Sequence, residues 1–276
     1  LKRFVTDQVY AAPYVAPPTA PRKFEERVAV IGAGPCGLTA AKDLVQAGYG
    51  VTVFEALPVA GGMLRVGVPE YRLPTSIINR EVQEIIDLGV ELRLNTPVEN
   101  LDDVFAQGFS AVLIAVGAHE GKKLPIPGAD HPDVLINTRF LRDVRLGKSP
   151  DLKDRHVLVL GGGNVAMDCA RTALRVGAKR VDIACLESRE TMPSHQEEIA
   201  EAEEEGITIY PSRSFNRIHS LNGNISGVEA VNVSFMQFES DGSLTLETIP
   251  NSEHILQCDT VIFAIGQRAG LAFIPE

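Results

Sequence analysis

The stretch from Val28 to Glu55, VAVIGAGPCGLTAAKDLVQAGYGVTVFE, constrains the fold more than any other part of this chain. Val28 to Ile31 is a short continuous apolar run, the pattern of a parallel strand covered on both faces. It stops at Gly32, Ala33 and Gly34, and Gly37 completes a G-x-G-x-x-G spacing. After a strand and before a helix, the three glycines answer three needs: a tight turn, backbone approach to a pyrophosphate, and close packing of helix on strand. Pro35 suits the first helical turn, Leu38, Ala41, Leu44 and Val45 form an apolar face, and Gly48 is a stop signal. Gly50 to Phe54 is a second strand. It delivers Glu55, 23 residues after Gly32, near the spacing at which an acid accepts hydrogen bonds from an adenosine ribose. The stretch predicts a dinucleotide-binding unit.

The pattern recurs. His156 to Leu160 is another buried strand, and Gly161, Gly163 and Ala166 give the G-x-G-x-x-A variant. Asn164 and Val165 open a helix whose apolar face includes Ala166, Cys169, Ala173 and Leu174; Gly177 ends it. Val181 to Leu186 is the following strand and terminates at Glu187, then Ser188 and Arg189. Two glycine-ended strands, Ser110 to Gly117 (SAVLIAVG) and Asp259 to Gly266 (DTVIFAIG), also share one form. The fold class is therefore α/β, with two Rossmann-like dinucleotide-binding units.

Between and after these units the patterns are plainer. Gly61 and Gly62 suit a loop passing close to a ligand. Thr75 to Leu88 reads as a helix, with Ile77, Ile78, Val82, Ile85 and Ile86 at helical spacing, and Val90 to Leu94 as a strand. Ser194 and Glu197 form a capping box before a strongly acidic helix, which reads as a solvated surface and not as a metal site. From Ile207 to Gln257, alternation and turns at Asn222-Gly223 and Asp241-Gly242 predict a small antiparallel β meander attached to the second unit. The boundaries follow: a proline-rich extended arm over 1–26, a first unit over 27–122 continued by about 258–276, and a second unit over 123–257.

Charge and composition exclude several classes. A net charge of −10 with no basic cluster argues against a nucleic-acid partner. No apolar run approaches the roughly 18 residues of a membrane-spanning helix. Cys36, Cys169, Cys185 and Cys258 are far apart, with no C-x-x-C pair, so a zinc knuckle, an iron–sulfur ladder and a local redox dithiol are not expected, and each cysteine reads as a small buried hydrophobe. With no secretory signal or disulfide framework, the expected setting is a reducing cytoplasm. His119 and His195 read as structural or exposed; no catalytic side chain and no metal ligand is assigned.

The segments GAGPCGLTAAKDL, AGGMLRVGVPEYRLP, GGGNVAMDCARTALRVGAKRV, ETMP and DTVIFAIGQ together resemble the small (beta) subunit of glutamate synthase and its relatives over nearly the whole chain. The resemblance implies a two-dinucleotide-binding flavoprotein, an FAD-dependent NAD(P)H oxidoreductase that passes electrons to an iron–sulfur protein or a larger oxidoreductase subunit. It implies FAD in the first unit, lined by Gly32, Ala33, Gly34, Pro35, Gly37, Glu55, Gly62, Met63, Arg65, Arg72 and Gly117. The nicotinamide nucleotide falls to Gly161, Gly163, Asn164, Val165, Glu187, Ser188 and Arg189, with Gly266 at the second glycine-ended strand. The chemistry is hydride transfer from nicotinamide to flavin, which needs no side-chain acid or base.

Three departures qualify the resemblance. The chain starts at Leu1 without the cysteine-rich domain of that family, and it reaches Glu276 before the family's last flavin-contacting segment. A piece of a longer protein, with an FAD site open on one side, is expected. Where the family typically has arginines after the second strand of the nucleotide unit, this chain has Cys185, Leu186, Glu187 and Ser188. A carboxylate there accepts from a free 2′-hydroxyl and repels a 2′-phosphate, so NAD(H) is expected over NADP(H), with Arg189 as the opposing residue. Two rival readings stay open. A flavin disulfide reductase needs two cysteines near the flavin, and Met63 and Leu64 stand where one class carries them. A non-catalytic electron-transfer or scaffold subunit would bind nucleotide without oxidising it.

Overall fold

The structure, a computed structural model, describes residues 1–239 and 243–274, so the predicted turn at Asp241-Gly242 lies outside the described residues. The chain divides into two units, one of Leu1–His119 joined by the segment from Ala269 onward, the other of Glu120–Arg268.

The first unit contains α1 (Lys2–Ala11), β1 (Arg27–Ile31), α2 (Pro35–Ala47), β2 (Gly50–Phe54), α3 (Gly62–Val66), α4 (Thr75–Asp87), β3 (Glu91–Arg93), α5 (Leu101–Phe105) and β4 (Ala111–Ile114). Its strands run parallel in the order β3-β2-β1-β4. Alternate β1 residues serve opposite faces. Val30 packs with Leu38, Ala41 and Val45 of α2, whereas Ala29 packs with Phe54, Val104 and Phe109. The helix stops as its sequence predicts: Gly48, at φ 112°, donates its N–H to the carbonyls of Leu44 and Val45.

The arm differs from expectation. Lys2–Ala11 are helical, and only the residues after them are extended. All the arm's prolines lie beyond this helix, so composition averaged over 26 residues hid a proline-free segment. Arg80 of α4 completes the helix: its guanidinium donates to the carbonyls of Tyr10 (2.9 Å) and Ala12 (3.2 Å) and lies over the Tyr10 ring at 4.9 Å.

The second unit contains β5 (Glu120–Gly121), β6 (Val134–Ile136), α6 (Asn137–Arg145), β7 (His156–Leu160), α7 (Asn164–Arg175), β8 (Arg180–Ala184), α8 (Gln196–Glu204), β9 (Thr208–Tyr210), β10 (Arg213–Leu221), β11 (Asn224–Phe238), β12 (Leu244–Thr248), β13 (His254–Leu256), β14 (Thr260–Phe263) and β15 (Gln267–Arg268). A parallel sheet runs β6-β14-β7-β8-β9, and β10 to β13 form antiparallel pairs around β11. The hairpin turn at Asn222-Gly223 has φ of 53° and 81°, the positive pair that type I′ demands.

Two sequence assignments need correction. The strand in DTVIFAIG does not continue the first unit; β14 pairs with β6 and β7, and only the chain from Ala269 returns. Its likeness to SAVLIAVG misled because β14 stands beside β7 as β4 stands beside β1. A glycine-ended strand serves either sheet equally. The run ITIYP is likewise the parallel strand β9 and not the start of the meander, since three alternating residues fit either pairing.

The acidic helix α8 is not merely solvated. Arg171 of α7, only 7% exposed, donates to Glu205 at 2.9 and 2.8 Å and pairs with Glu201, while Arg175 also grips Glu205. The hydrogen bond from Arg175 first, joined by that from Arg171 and the two positive charges, holds the Glu205 carboxyl down at about 2 against the opposing desolvation of burial. A depressed carboxylate stabilises fully above its unfolded value and loses that contribution as pH falls through the folded one. In thermal melts, the advantage of the wild type over Glu205→Gln is therefore full at neutral pH and fades between about pH 5 and pH 2. An advantage that does not change across that window would contradict the assignment.

Candidate functional site

In the first glycine loop, each glycine has a separate structural reason. Gly32 has φ +107°, donates to the Phe54 carbonyl, and leaves no room: an added Cβ would lie 2.4 Å from the Ala115 carbonyl oxygen. At Gly37 an added Cβ would lie 2.0 Å from the Gly32 carbonyl oxygen, so α2 packs against its own loop. Gly34 is different. The nearest atom to a Cβ there is Gly62 Cα at 3.7 Å, so the position is open, a cradle that a side chain would fill. Gly34 is also the N-cap of α2, with no side chain on the helix's first N–H groups and Pro35 at the next position.

Glu55 is folded beneath this loop. Only 7% exposed, its carboxylate accepts from the Ala33 N–H (2.8 Å) and the Leu57 N–H (2.8 Å), which leaves further acceptor positions on both oxygens. The GGMLR segment docks on the same loop: Gly61 donates to the Ala33 carbonyl at 2.7 Å, and a Cβ on Gly62 would meet Gly34 Cα at 2.6 Å. Gly32, Ala33, Gly34, Pro35, Gly37, Glu55 and Gly62 are thus brought together. Met63 curls along its own helix toward Gly67, Arg65 follows on α3, and Arg72 belongs to the turn closed by its N–H on the Pro69 carbonyl. Gly117, exposed at φ +66°, follows β4 with the His119 ring beside it. Cys36 departs from expectation: it is exposed on the first turn of α2, while Cys169, Cys185 and Cys258 are buried. Position alone decides, because the first turn of a helix leading off a loop has one side open.

The second loop repeats the arrangement. Gly161 has φ +141°, and its Cβ would lie 2.3 Å from the Ala264 carbonyl oxygen; at Gly163 the nearest atom is Pro193 Cγ at 4.0 Å, again open. Ala166 is fully buried where the third glycine would stand. Glu187 closes over the loop, its Oε2 only 2.8 Å from where a Gly162 Cβ would be. Ser188 and Arg189 lie in the turn beyond, where the Ser188 hydroxyl donates to Glu190 and Arg189 donates to Glu203 at 2.6 Å. Val165 is half-buried beside Asn164, and Gly266 is exposed, its carbonyl accepting from the Lys122 N–H.

The capping box does not form. His195 is the N-cap of α8, with no side-chain cap. Ser194 instead donates its hydroxyl to Asn164 Oδ1 at 2.8 Å, and the His195 N–H donates to the same oxygen at 2.9 Å. Asn164 at the start of α7 thereby latches the start of α8 to the glycine loop, and the Ser194 N–H on the Gly162 carbonyl adds to it. Sequence reasoning missed Ser194 as part of this site. Its partner lies 30 residues away, beyond the range of any local cap signal.

Among the described residues no group of three or more His, Cys, Asp or Glu could hold a metal ion, and no helix is long and apolar enough to cross a membrane.

Two parallel-sheet units, each with an open glycine loop, a bare helix N-terminus and a glutamate after the second strand, define a protein with paired dinucleotide-binding folds. The chain belongs to the pyridine nucleotide-disulphide oxidoreductase family, whose profile matches residues 26–274. It is 43% identical over 253 residues to the NADP(+)-dependent formate dehydrogenase subunit beta of Moorella thermoacetica, covering 90% of this chain and 36% of that protein. It is 31% identical over 284 residues to the glutamate synthase [NADPH] small chain of Escherichia coli, covering 97% of this chain and 60% of that one. The chain thus spans about a third of the first relative and under two thirds of the second. FprA from Mycobacterium tuberculosis shares the fold, with a TM-score of 0.76 at 18% identity over 90% of this chain and 72% of that one.

Proposed function

We propose that this chain is the flavin- and nicotinamide-binding part of an FAD-dependent NAD(P)H oxidoreductase, passing electrons to an iron–sulfur protein or a larger oxidoreductase subunit. The observation that carries the reading is the pair of open cradles at Gly34 and Gly163, each at a helix N-terminus and each followed by a glutamate within three residues of the end of the next strand. Similarity to proteins named as a beta subunit and a small chain supports the partner.

The first unit takes FAD. Its pyrophosphate rests on the α2 N-terminus over Gly34, where N–H groups and the helix dipole favour negative charge, and the free acceptor positions of Glu55 hold the ribose hydroxyls. Met63, Arg65, Arg72 and Gly117 line the remainder of the flavin side. The second unit takes the nicotinamide dinucleotide, with Gly161, Gly163, Asn164 and Val165 at the pyrophosphate and Glu187 at the ribose. FAD, when bound, supplies the ring that accepts hydride; this chain's residues bind and orient the two nucleotides.

The finer expectation, NADH over NADPH, draws no support from these relatives, whose names carry NADP(+) and NADPH. It rests on Glu187, a carboxylate set over the glycine loop where a 2′-phosphate would bring like charge. The test is oxidation of each nucleotide by the FAD-loaded protein with an artificial electron acceptor. The expected result is turnover with a higher kcat/KM for NADH. A clear NADPH preference would overturn the finer reading, and flavin-loaded protein that oxidises neither would favour the scaffold alternative.

A further inference from the structure

We infer that Glu203 is a positioning residue that sets cofactor specificity, by holding Arg189 away from the ribose 2′ position. This rests on the reading that the second unit binds the nicotinamide dinucleotide, and it names what tunes that site. Between Cys185 and Met192, Arg189 is the one basic residue, and it lies two positions after Glu187. A 2′-phosphate brought to Glu187 needs a cation to offset the carboxylate, and Arg189 is the side chain within reach along the chain. Its Nη2 is committed to Glu203 Oε2 at 2.6 Å, and its Nη1 is buried without a hydrogen-bond partner. The guanidinium is thus drawn toward α8 although one of its two amino groups gains nothing there.

Glu203 cannot readily follow Arg189, because α8 is pinned at both ends. At its start, Asn164 Oδ1 accepts from Ser194 and His195; near its end, Arg171 and Arg175 grip Glu201 and Glu205. The Glu187 end is fixed as well, through its carbonyl, which accepts the Ser212 N–H at 2.8 Å. The tether therefore spans two rigid supports. Its strength is modest, since the Arg189 and Glu203 side chains are 36% and 45% exposed, and an exposed pair shifts an equilibrium by no more than about fivefold.

The experiment titrates ADP-ribose and 2′-phospho-ADP-ribose into the FAD-loaded protein by calorimetry, using wild type, Glu203→Gln, Arg189→Gln and the double variant. Glu203→Gln is expected to tighten 2′-phospho-ADP-ribose about three- to fivefold and leave ADP-ribose unchanged. In the double variant the gain disappears, because no cation is left to release. An unchanged ratio of the two affinities in Glu203→Gln, or a gain that survives in the double variant, would overturn the role of Glu203 while leaving the second unit a dinucleotide site. Failure of both ligands to bind the wild type would overturn the dinucleotide reading itself, and this inference with it.

Discussion

Gly37→Ala is expected to destabilise the first unit by about 3 kcal/mol and to abolish its flavin binding. The added methyl would lie 2.0 Å from the Gly32 carbonyl oxygen and 3.1 Å from Val30 Cγ1. Neither can yield cheaply: Gly32 is held by its N–H on the Phe54 carbonyl, and Val30 is fully buried in β1. The helix α2 must lift from the sheet, taking Leu38, Ala41 and Val45 out of the core they share with Val30 and Val53. Gly34→Ala is the informative control. Its methyl meets only Gly62 Cα at 3.7 Å, ordinary contact, so thermal stability stays near that of the wild type while FAD content falls at least tenfold. Thermal melting and flavin absorbance on the two purified variants separate the effects. Normal flavin content in Gly34→Ala would mean that the pyrophosphate lies elsewhere.

Arg171→Met is the second large effect, about 3 kcal/mol of stability in the second unit. The side chain fits the volume but removes the charge that Glu201 and Glu205 share, with Glu198 Oε2 3.7 Å from the same guanidinium. Arg175 alone remains, and it is 41% exposed. Arg171→Lys is expected to recover less than half of the loss, because a point charge cannot reproduce the fork that reaches two carboxylates. Urea denaturation gives the magnitudes, and hydrogen exchange should show protection lost first on α8. Equal stability of Arg171→Met and wild type would reduce the network to a surface decoration.

The glycine loops were legible in the sequence because each keeps a fixed spacing between a strand and a helix. Gly37 is forced by Gly32 in the same loop; Gly32 is forced by the distant Ala115 carbonyl, but it also takes a positive φ that favours glycine whatever its neighbour. The glutamates were legible for the same reason, Glu55 directly after β2 and Glu187 three residues beyond β8, which ends at Ala184, short of the predicted Leu186. What escaped was decided at long range. Nothing in DTVIFAIG distinguishes a strand beside β7 from one beside β1, and nothing in the residues around Ser194 announces Asn164. The helix α1 escaped through averaging, its proline-free turns diluted by the prolines that follow. The pairing of Arg189 with Glu203 escaped because a helix read as a uniformly charged surface does not show which of its acids has a partner.

The arm's attachments have a mechanical consequence. Tyr10 bonds Glu81, Tyr14 bonds Asp87, Arg80 caps α1, and Ala20 donates to the Leu88 carbonyl at 3.0 Å. These anchors lie on α4 and the residue after it, and the next, Lys23 and Phe24 on the Gly48 carbonyl, lies at the end of α2. Tension on the arm is therefore delivered to helix surfaces in series, one small contact at a time, before it reaches the hydrogen bonds of β1. The contacts that hold the arm are thus separate from the ladder that holds β1, so losing them one by one leaves the strand that carries the first glycine loop in its sheet.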